Sequence, residues 1–297
     1  MLKVALIGLV AAVAGSSPQV LAKIQTGASP GDAVAAFGAI WVTTDGSGTL
    51  VRIDPRTNRV TKRIRMRPGL FSVERGFGSL WTLNYRRGSL SRVNPTTGRV
   101  RSVRLAGSPE AVVAAYGRLW VTAWRAGRLL VVDPRSMRVV KRITTGAKPT
   151  GLRVVAGALW VGFGAGSAIG RLDPKTLKLV SVPVGVRAPA VFTAGTRDLW
   201  IKANDNVMVR LDPGTRTVTA KVPVGRTLSG GALAQDGTIW IPDKEQNVVY
   251  RIDPEKAAIV DSFPAGPGAF SAVRASGSMW ITNYAGTDVW RFRPAGP

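Results

Sequence analysis

Short apolar runs cut by turn residues recur along the chain, and one kind of run carries a tryptophan at a fixed place. Ala39-Ile40-Trp41-Val42 and Thr238-Ile239-Trp240-Ile241 are two of seven such runs. The tryptophans are Trp41, Trp81, Trp120, Trp160, Trp200, Trp240 and Trp280, with successive spacings of 40, 39, 40, 40, 40 and 40 residues. A fixed period of this length marks a repeat architecture. In the first unit the pattern predicts strands over 32–36, 39–44, 49–53 and 59–66. Turn signals at Phe37-Gly38, Asp45-Gly46-Ser47-Gly48 and Asp54-Pro55 separate them. The tryptophan run is apolar at consecutive positions, as happens when both faces of a sheet are covered. Sheets stacked radially around an axis supply that burial. The pattern therefore predicts an all-β fold: a seven-bladed β-propeller with four-stranded blades over residues 19–294.

A second feature follows each tryptophan by twelve or thirteen residues: Asp54-Pro55, Asn94-Pro95, Asp133-Pro134, Asp173-Pro174, Asp212-Pro213, Asp253-Pro254 and, in the last unit, Arg293-Pro294. Pro presets the second position of a type I turn and Asp bonds the backbone two residues on, so these acids are expected to be structural. Thr57, Thr97, Ser136, Thr176 and Thr215 place a hydroxyl at the fourth position, expected to reach back into the turn; Lys256 is the exception. Arg52, Arg92, Arg171, Arg210, Arg251 and Arg291 precede the turn by two residues in six of the seven units, which points to an architectural role. The seventh unit stops without a fourth strand, while residues 19–27 align with the fourth strand of the third unit, 138–146. The N-terminal strand is thus expected to join the last blade and close the ring.

Residues 1–14 have the form of a secretory signal peptide, with Lys3, an apolar stretch over 4–11 and the cleavage site Ala12-Val13-Ala14. A cut after Ala14 spares the closing strand, whereas a cut after Ala22 would remove half of it. The apolar stretch is far short of the ~20 residues of a membrane span. A secreted, periplasmic or cell-envelope protein with no transmembrane segment after cleavage is expected.

The chain has no His and no Cys. That excludes disulfides, zinc fingers, a Cys nucleophile, a His general base and a Ser-His-Asp triad. Remaining chemistry would rest on carboxylates, Lys, Tyr or a metal held by oxygens. Lys and Arg number 41 against 17 Asp and Glu, a net charge of +24. Residues 51–104 carry 14 of those cations against Asp54 and Glu74. Arg63, Arg65 and Arg67, like Arg99 and Arg101, alternate along outer strands and so share one side. Such a stripe guards a blade edge and attracts polyanions. The excess of Arg over Lys, 30 to 11, is equally what GC-rich coding produces. No recognition-helix pattern is present, so no sequence-specific nucleic-acid binding is expected.

The unit, roughly G-x-[IL]-W-V followed by R-[IVL]-D-P-x-T, resembles those of YVTN-type and NHL-like propellers of exported bacterial proteins. Gly157-Ala158-Leu159-Trp160 with Ile169-Gly170-Arg171-Leu172 is also similar to units of the streptogramin lyases, the virginiamycin B lyase family. The resemblance covers 19–294 and lies in blade-building positions, so it implies the fold. The lyase family's chemistry uses histidines and a glutamate around Mg²⁺, and without His those positions have no counterpart here.

With strands A to D running from axis to rim, the B–C loops share one face with the D–A connections. The B–C loops are irregular, and irregular loops on a regular scaffold carry function. Tyr85, Arg86, Arg87, Trp124, Arg125, Phe163, Asn204, Asp205, Asn283 and Tyr284 are the candidate ligand-binding residues. An aromatic and arginine surface suits a planar, sugar-like or anionic ligand. Asn204-Asp205-Asn206 lacks the spacing of a calcium loop and is expected to be a turn, as are Asp243 and Glu245 around Lys244. Gly162, Gly164 and Gly166 precede no helix, so they form no phosphate loop. The expected function is a non-catalytic binding or scaffold protein, monomeric and without cofactor, with a cell-envelope polyanion or a protein as partner. The alternative is a streptogramin-lyase-like enzyme using carboxylates and a divalent metal such as Mg²⁺.

Overall fold

Each tryptophan run forms the second strand of a four-stranded antiparallel sheet. A computed structural model describes residues 17–294 except 147, 194 and 226–228; the signal segment expected over 1–14 lies outside them. In the first blade the strands are Pro30–Ala36, Ala39–Thr44, Thr49–Asp54 and Arg59–Arg65. Seven such sheets follow one another, each strand bonded to its sequence neighbour. The first strands of adjacent blades pack against one another around a central axis. The fold is the seven-bladed propeller that the spacing predicts.

The ring closes as the alignment of its ends predicts. Strand Gln19–Gln25 pairs antiparallel with Asp288–Arg293, from Gln19 opposite Arg293 to Gln25 opposite Asp288. Among the described residues there is no helix, and so none long and apolar enough to cross a membrane.

All seven repeat tryptophans are at most 1% exposed. Their partners lie largely in the next blade: Trp81 packs with Leu119, Val121 and Leu130. A buried indole needs an acceptor for its N–H. Trp41, Trp81, Trp120, Trp160 and Trp280 donate to the carbonyl five residues back, at 3.0–3.2 Å. Trp240 donates instead to Thr238 Oγ1 at 3.1 Å.

The recurrent arginine stands opposite the tryptophan in the third strand, as in Trp81↔Arg92 and Trp280↔Arg291. Arg92 and Arg291 lie over those rings at 5.7 and 5.0 Å and donate to Ser79 and Ser278. The turn carboxylates Asp54, Asp133, Asp173, Asp212 and Asp253 accept the backbone N–H two residues on. Among the described residues only Ser136 sends its hydroxyl back to the turn acid. Thr97 and Thr176 instead accept from the N–H two residues further on, which corrects the expectation for them. Blades 5 and 6 have inner strands of two residues, Val191–Phe192 and Ala232–Leu233. Both blades carry charged clamps, Arg210 to Asp198 at 2.5 Å and Arg251 to Asp261 at 2.5 Å and Asp236 at 3.4 Å.

Candidate ligand site at the axial channel

The inner strands enclose a channel of about 860 Å³ along the axis. Four of them, Leu70–Gly76, Pro109–Ala115, Pro149–Val155 and Ala269–Ala275, present equivalent positions to it in layers. Second residues Phe71, Glu110, Thr150 and Phe270 line its mouth on the B–C face. Asp32, Ser72 and Ser271 come next, then Glu74 and Arg153.

Asp32 is held by three donors. Oδ1 accepts from Ala33 N at 2.9 Å and Ser271 Oγ at 3.3 Å, and Oδ2 from Val73 N at 3.2 Å. It therefore ties blades 7, 1 and 2 together at the axis. Among the described residues the Glu74 carboxyl has one hydrogen-bond donor, the N–H of its neighbour Arg75 at 2.7 Å. Arg153 Nε donates to Thr193 O at 3.1 Å, across to the next blade. Among the described residues none of Asp32, Glu74 and Glu110 forms an ion pair. Enclosure by the blades raises the Asp32 carboxyl from 3.8 to about 6, against its hydrogen bonds and Arg153. The same enclosure, with the Asp32 charge adding to it, raises Glu74 from 4.5 to about 7. Glu74 is thus poised near neutrality, able to donate or accept a hydrogen bond.

Above this lies an aromatic mouth. Phe71 meets Phe270 edge-on at 5.4 Å, Tyr85 at 6.1 Å and Tyr284 at 6.3 Å. Phe270 and Tyr284 lie 5.3 Å apart, and the Lys244 ammonium sits 4.2 Å over the Tyr284 ring. Both tyrosines donate to Oδ2 of buried Asp45, Tyr284 at 2.5 Å and Tyr85 at 3.2 Å. Gly69 N donates to Asp45 Oδ1 at 2.9 Å, and Arg86 Nε to Tyr85 Oη at 3.0 Å. Burial, then the bond to the Asp45 carboxylate, drives the Tyr284 hydroxyl far above its usual pKa, so it stays a donor.

Of the ten residues singled out in the sequence, Tyr85, Arg86 and Tyr284 come together here. Asn283, next to Tyr284 in sequence, is fully buried and donates to Asp288 at 2.8 Å. The rest lie elsewhere. Phe163 ends its strand, is buried with Trp120 and Leu172, and lines a cleft of blade 4 instead of the axial mouth. Trp124 carries Lys148 over its ring at 4.8 Å, away from the mouth. Arg125 is exposed. Asp205 forms the expected turn, accepting Arg187 N at 2.6 Å and pairing with its guanidinium at 3.3 Å; Asn204 is exposed beside it. Arg87 lines a separate cleft.

The main residues missed were Phe71, Phe270, Asp32, Glu74 and Arg153. A signal for two of them existed. Opposite the tryptophans Trp41, Trp120 and Trp280 the inner strand has Val34, Val113 and Val273, whereas Trp81 and Trp160 face Glu74 and Arg153. A charge in a valine position of the repeat marks an axial side chain.

The Mg²⁺ of the alternative finds no fitting donors. The oxygens of Asp32 and Asp45 are engaged by N–H and O–H groups, and the positive charge of Arg153 acts on Glu74. Among the described residues no three of His, Cys, Asp or Glu are grouped to hold a metal ion.

Solved structures similar to this fold include two lyases. Virginiamycin B lyase from Staphylococcus aureus superposes with a TM-score of 0.82 and 13% identity, over 94% of this chain and 100% of its own. A streptogramin B lyase structure gives 0.79 and 16%, over 93% and 96%. At these identities the likeness is one of fold. No family model and no curated protein sequence matches the chain.

Proposed function

We propose that the protein is an exported ligand-binding propeller of the cell envelope, which takes a planar or sugar-like ligand at the aromatic mouth of its channel and performs no covalent step. The observation that carries this reading is the cluster of Phe71, Tyr85, Phe270 and Tyr284, with both tyrosine hydroxyls tied to one buried carboxylate. Rings held in place beforehand lose little freedom on binding. Glu74 below and Lys244 above supply polar groups to orient a stacked ligand. The basic exterior adds long-range attraction to envelope polyanions. Binding to isolated cell envelopes, measured across a salt series, tests the reading. A portion of binding should survive about 0.5 M salt and weaken about tenfold in Phe270→Ala. Binding that vanishes with salt and ignores Phe270 would overturn it.

A second reading, a lyase, is favoured by the neighbouring carboxyls of Asp32 and Glu74, both raised toward neutrality as acid–base chemistry requires. Incubation with a streptogramin B antibiotic separates the two. A product seen by mass spectrometry with wild type and absent with Glu74→Gln establishes the lyase; intact antibiotic leaves the binding protein.

A further inference from the structure

On the second blade a position that other blades bolt shut is open. In the third and fourth strands one cross-strand pair recurs as Val51↔Arg63, Leu130↔Arg142, Val209↔Lys221 and Trp290↔Lys23. A bulky apolar residue faces a long cation. In blade 1 the Arg63 guanidinium donates to the carbonyls of Gln25 and Thr26, and in blade 5 Lys221 donates to Gly185 O. Each reaches back over the gap toward the preceding blade.

Blade 2 has Ser91↔Ser102 instead, and neither side chain can span the gap. A cleft of about 490 Å³ remains, floored by Ser89, Ser91 and Ser102 and rimmed by Arg67, Arg87 and Arg104. The three arginines come from different segments: the connection after blade 1, the B–C loop and the outer strand Val100–Arg104. Among the described residues none of their guanidinium groups has a hydrogen-bond or ion-pair partner, although Ser91 and Ser102 bond to each other at 2.8 Å. In that hydroxyl pair one O–H is spent on its neighbour and the other is left to donate.

Blade 4 provides an internal comparison. Its pair is Gly170↔Ser181, and a cleft of about 320 Å³ opens there too, but no charged residue lines it. The opening follows from the small residues. The arginines distinguish the blade 2 cleft from that of blade 4; of the three, Arg104 shares its register with Arg65 of blade 1.

We propose that the blade 2 cleft is a binding site for a tetrahedral oxyanion, a phosphoryl or sulfuryl group carried on a small polar molecule. Three guanidinium forks at the rim and serine donors on the floor match the several acceptor oxygens of such a group. The volume exceeds that of a bare ion and leaves room for the group's carrier. The site is independent of the axial mouth, so either can fail alone.

Titration calorimetry at low ionic strength, with inorganic phosphate, inorganic sulfate and glycerol 3-phosphate as probes, tests it. Glycerol 3-phosphate should bind more tightly than either ion if the carrier is seated in the cleft. Phosphate binding without sulfate binding assigns the phosphoryl group; equal binding assigns both. Arg87→Gln should weaken binding about tenfold or more, while Arg59→Gln, the same charge loss on another blade, should not. The double substitution Ser91→Val with Ser102→Arg copies the pair of blade 1. It adds a positive charge yet closes the cleft, so it should weaken binding by a similar factor. Unchanged or tighter binding in that variant, an equal loss in Arg59→Gln, or no binding of any probe at millimolar concentration would overturn the proposal.

Discussion

Glu74 shows what a single residue contributes when the scaffold around it is repetitive. Its backbone does the same work as that of Val34 or Val113, but its carboxyl stands in the channel with one N–H for company. Raised carboxyls set a direction for stability against pH. Below about pH 3 Asp32 and Glu74 are protonated in both the folded and unfolded chain. As pH rises to about 7 the unfolded chain releases protons that the folded one keeps, so stability falls through that window. The loss is at most about 3 kcal/mol for each carboxyl. The turn acids Asp133, Asp173 and Asp253 act oppositely: N–H donors hold them below the usual range, and their contribution is lost as pH falls below about 4. Urea unfolding should therefore give higher stability near pH 4.5 than near pH 8, and Glu74→Gln should remove about half of that difference. A flat profile in the wild type would show that the channel does not hold these protons.

At the scale of the strand, legibility followed burial. Tryptophan strands covered on both faces read as unbroken apolar runs, and the Asp-Pro turns between outer strands carry their own local chemistry. Those elements were placed within about two residues. The inner strands were harder to read for function, because channel-facing and core-facing residues alternate among small apolar positions. A Phe71 or a Glu74 there looks like ordinary repeat variation until seven strands converge. The loops misled for the converse reason: Phe163 and Asn283 sit at strand ends whose side chains turn inward, although exposed loop residues, Gly164 and Ala285, follow within two positions. Closure by Gln19–Gln25 was legible because that strand has a template elsewhere in the repeat. A chain beginning at Lys23 would lack the pairs Gln19↔Arg293, Val20↔Phe292 and Ala22↔Arg291, leaving Phe292 uncovered on that side. Lost cross-strand pairs and hydrogen bonds predict a cost of roughly 2–4 kcal/mol. Thermal unfolding should drop by several degrees relative to a chain beginning at Gly15; equal midpoints would mean that the remaining half-strand closes the ring.

For the molecule as a whole, seven near-identical units make the departures informative. The ring cluster of the mouth draws on blades 1, 2 and 7, with Lys244 reaching it from blade 6; Asp32 and Glu74 come from blades 1 and 2, and the open arginine cleft lies on blade 2. The largest departures from the repeat thus cluster near the seam, where the first strand meets the last. That seam also has a direction under load. Gln19 and Arg293 lie side by side at one end of the closing ladder. Tension between these two residues would peel the strands apart one cross-strand pair at a time. Tension between Gln19 and Asp288, at opposite ends, would have to shear the whole ladder at once. With optical tweezers the first pair of handles should open the ring at a markedly lower force than the second. The clasp that closes the ring is thus a zipper to a pull from its own ends.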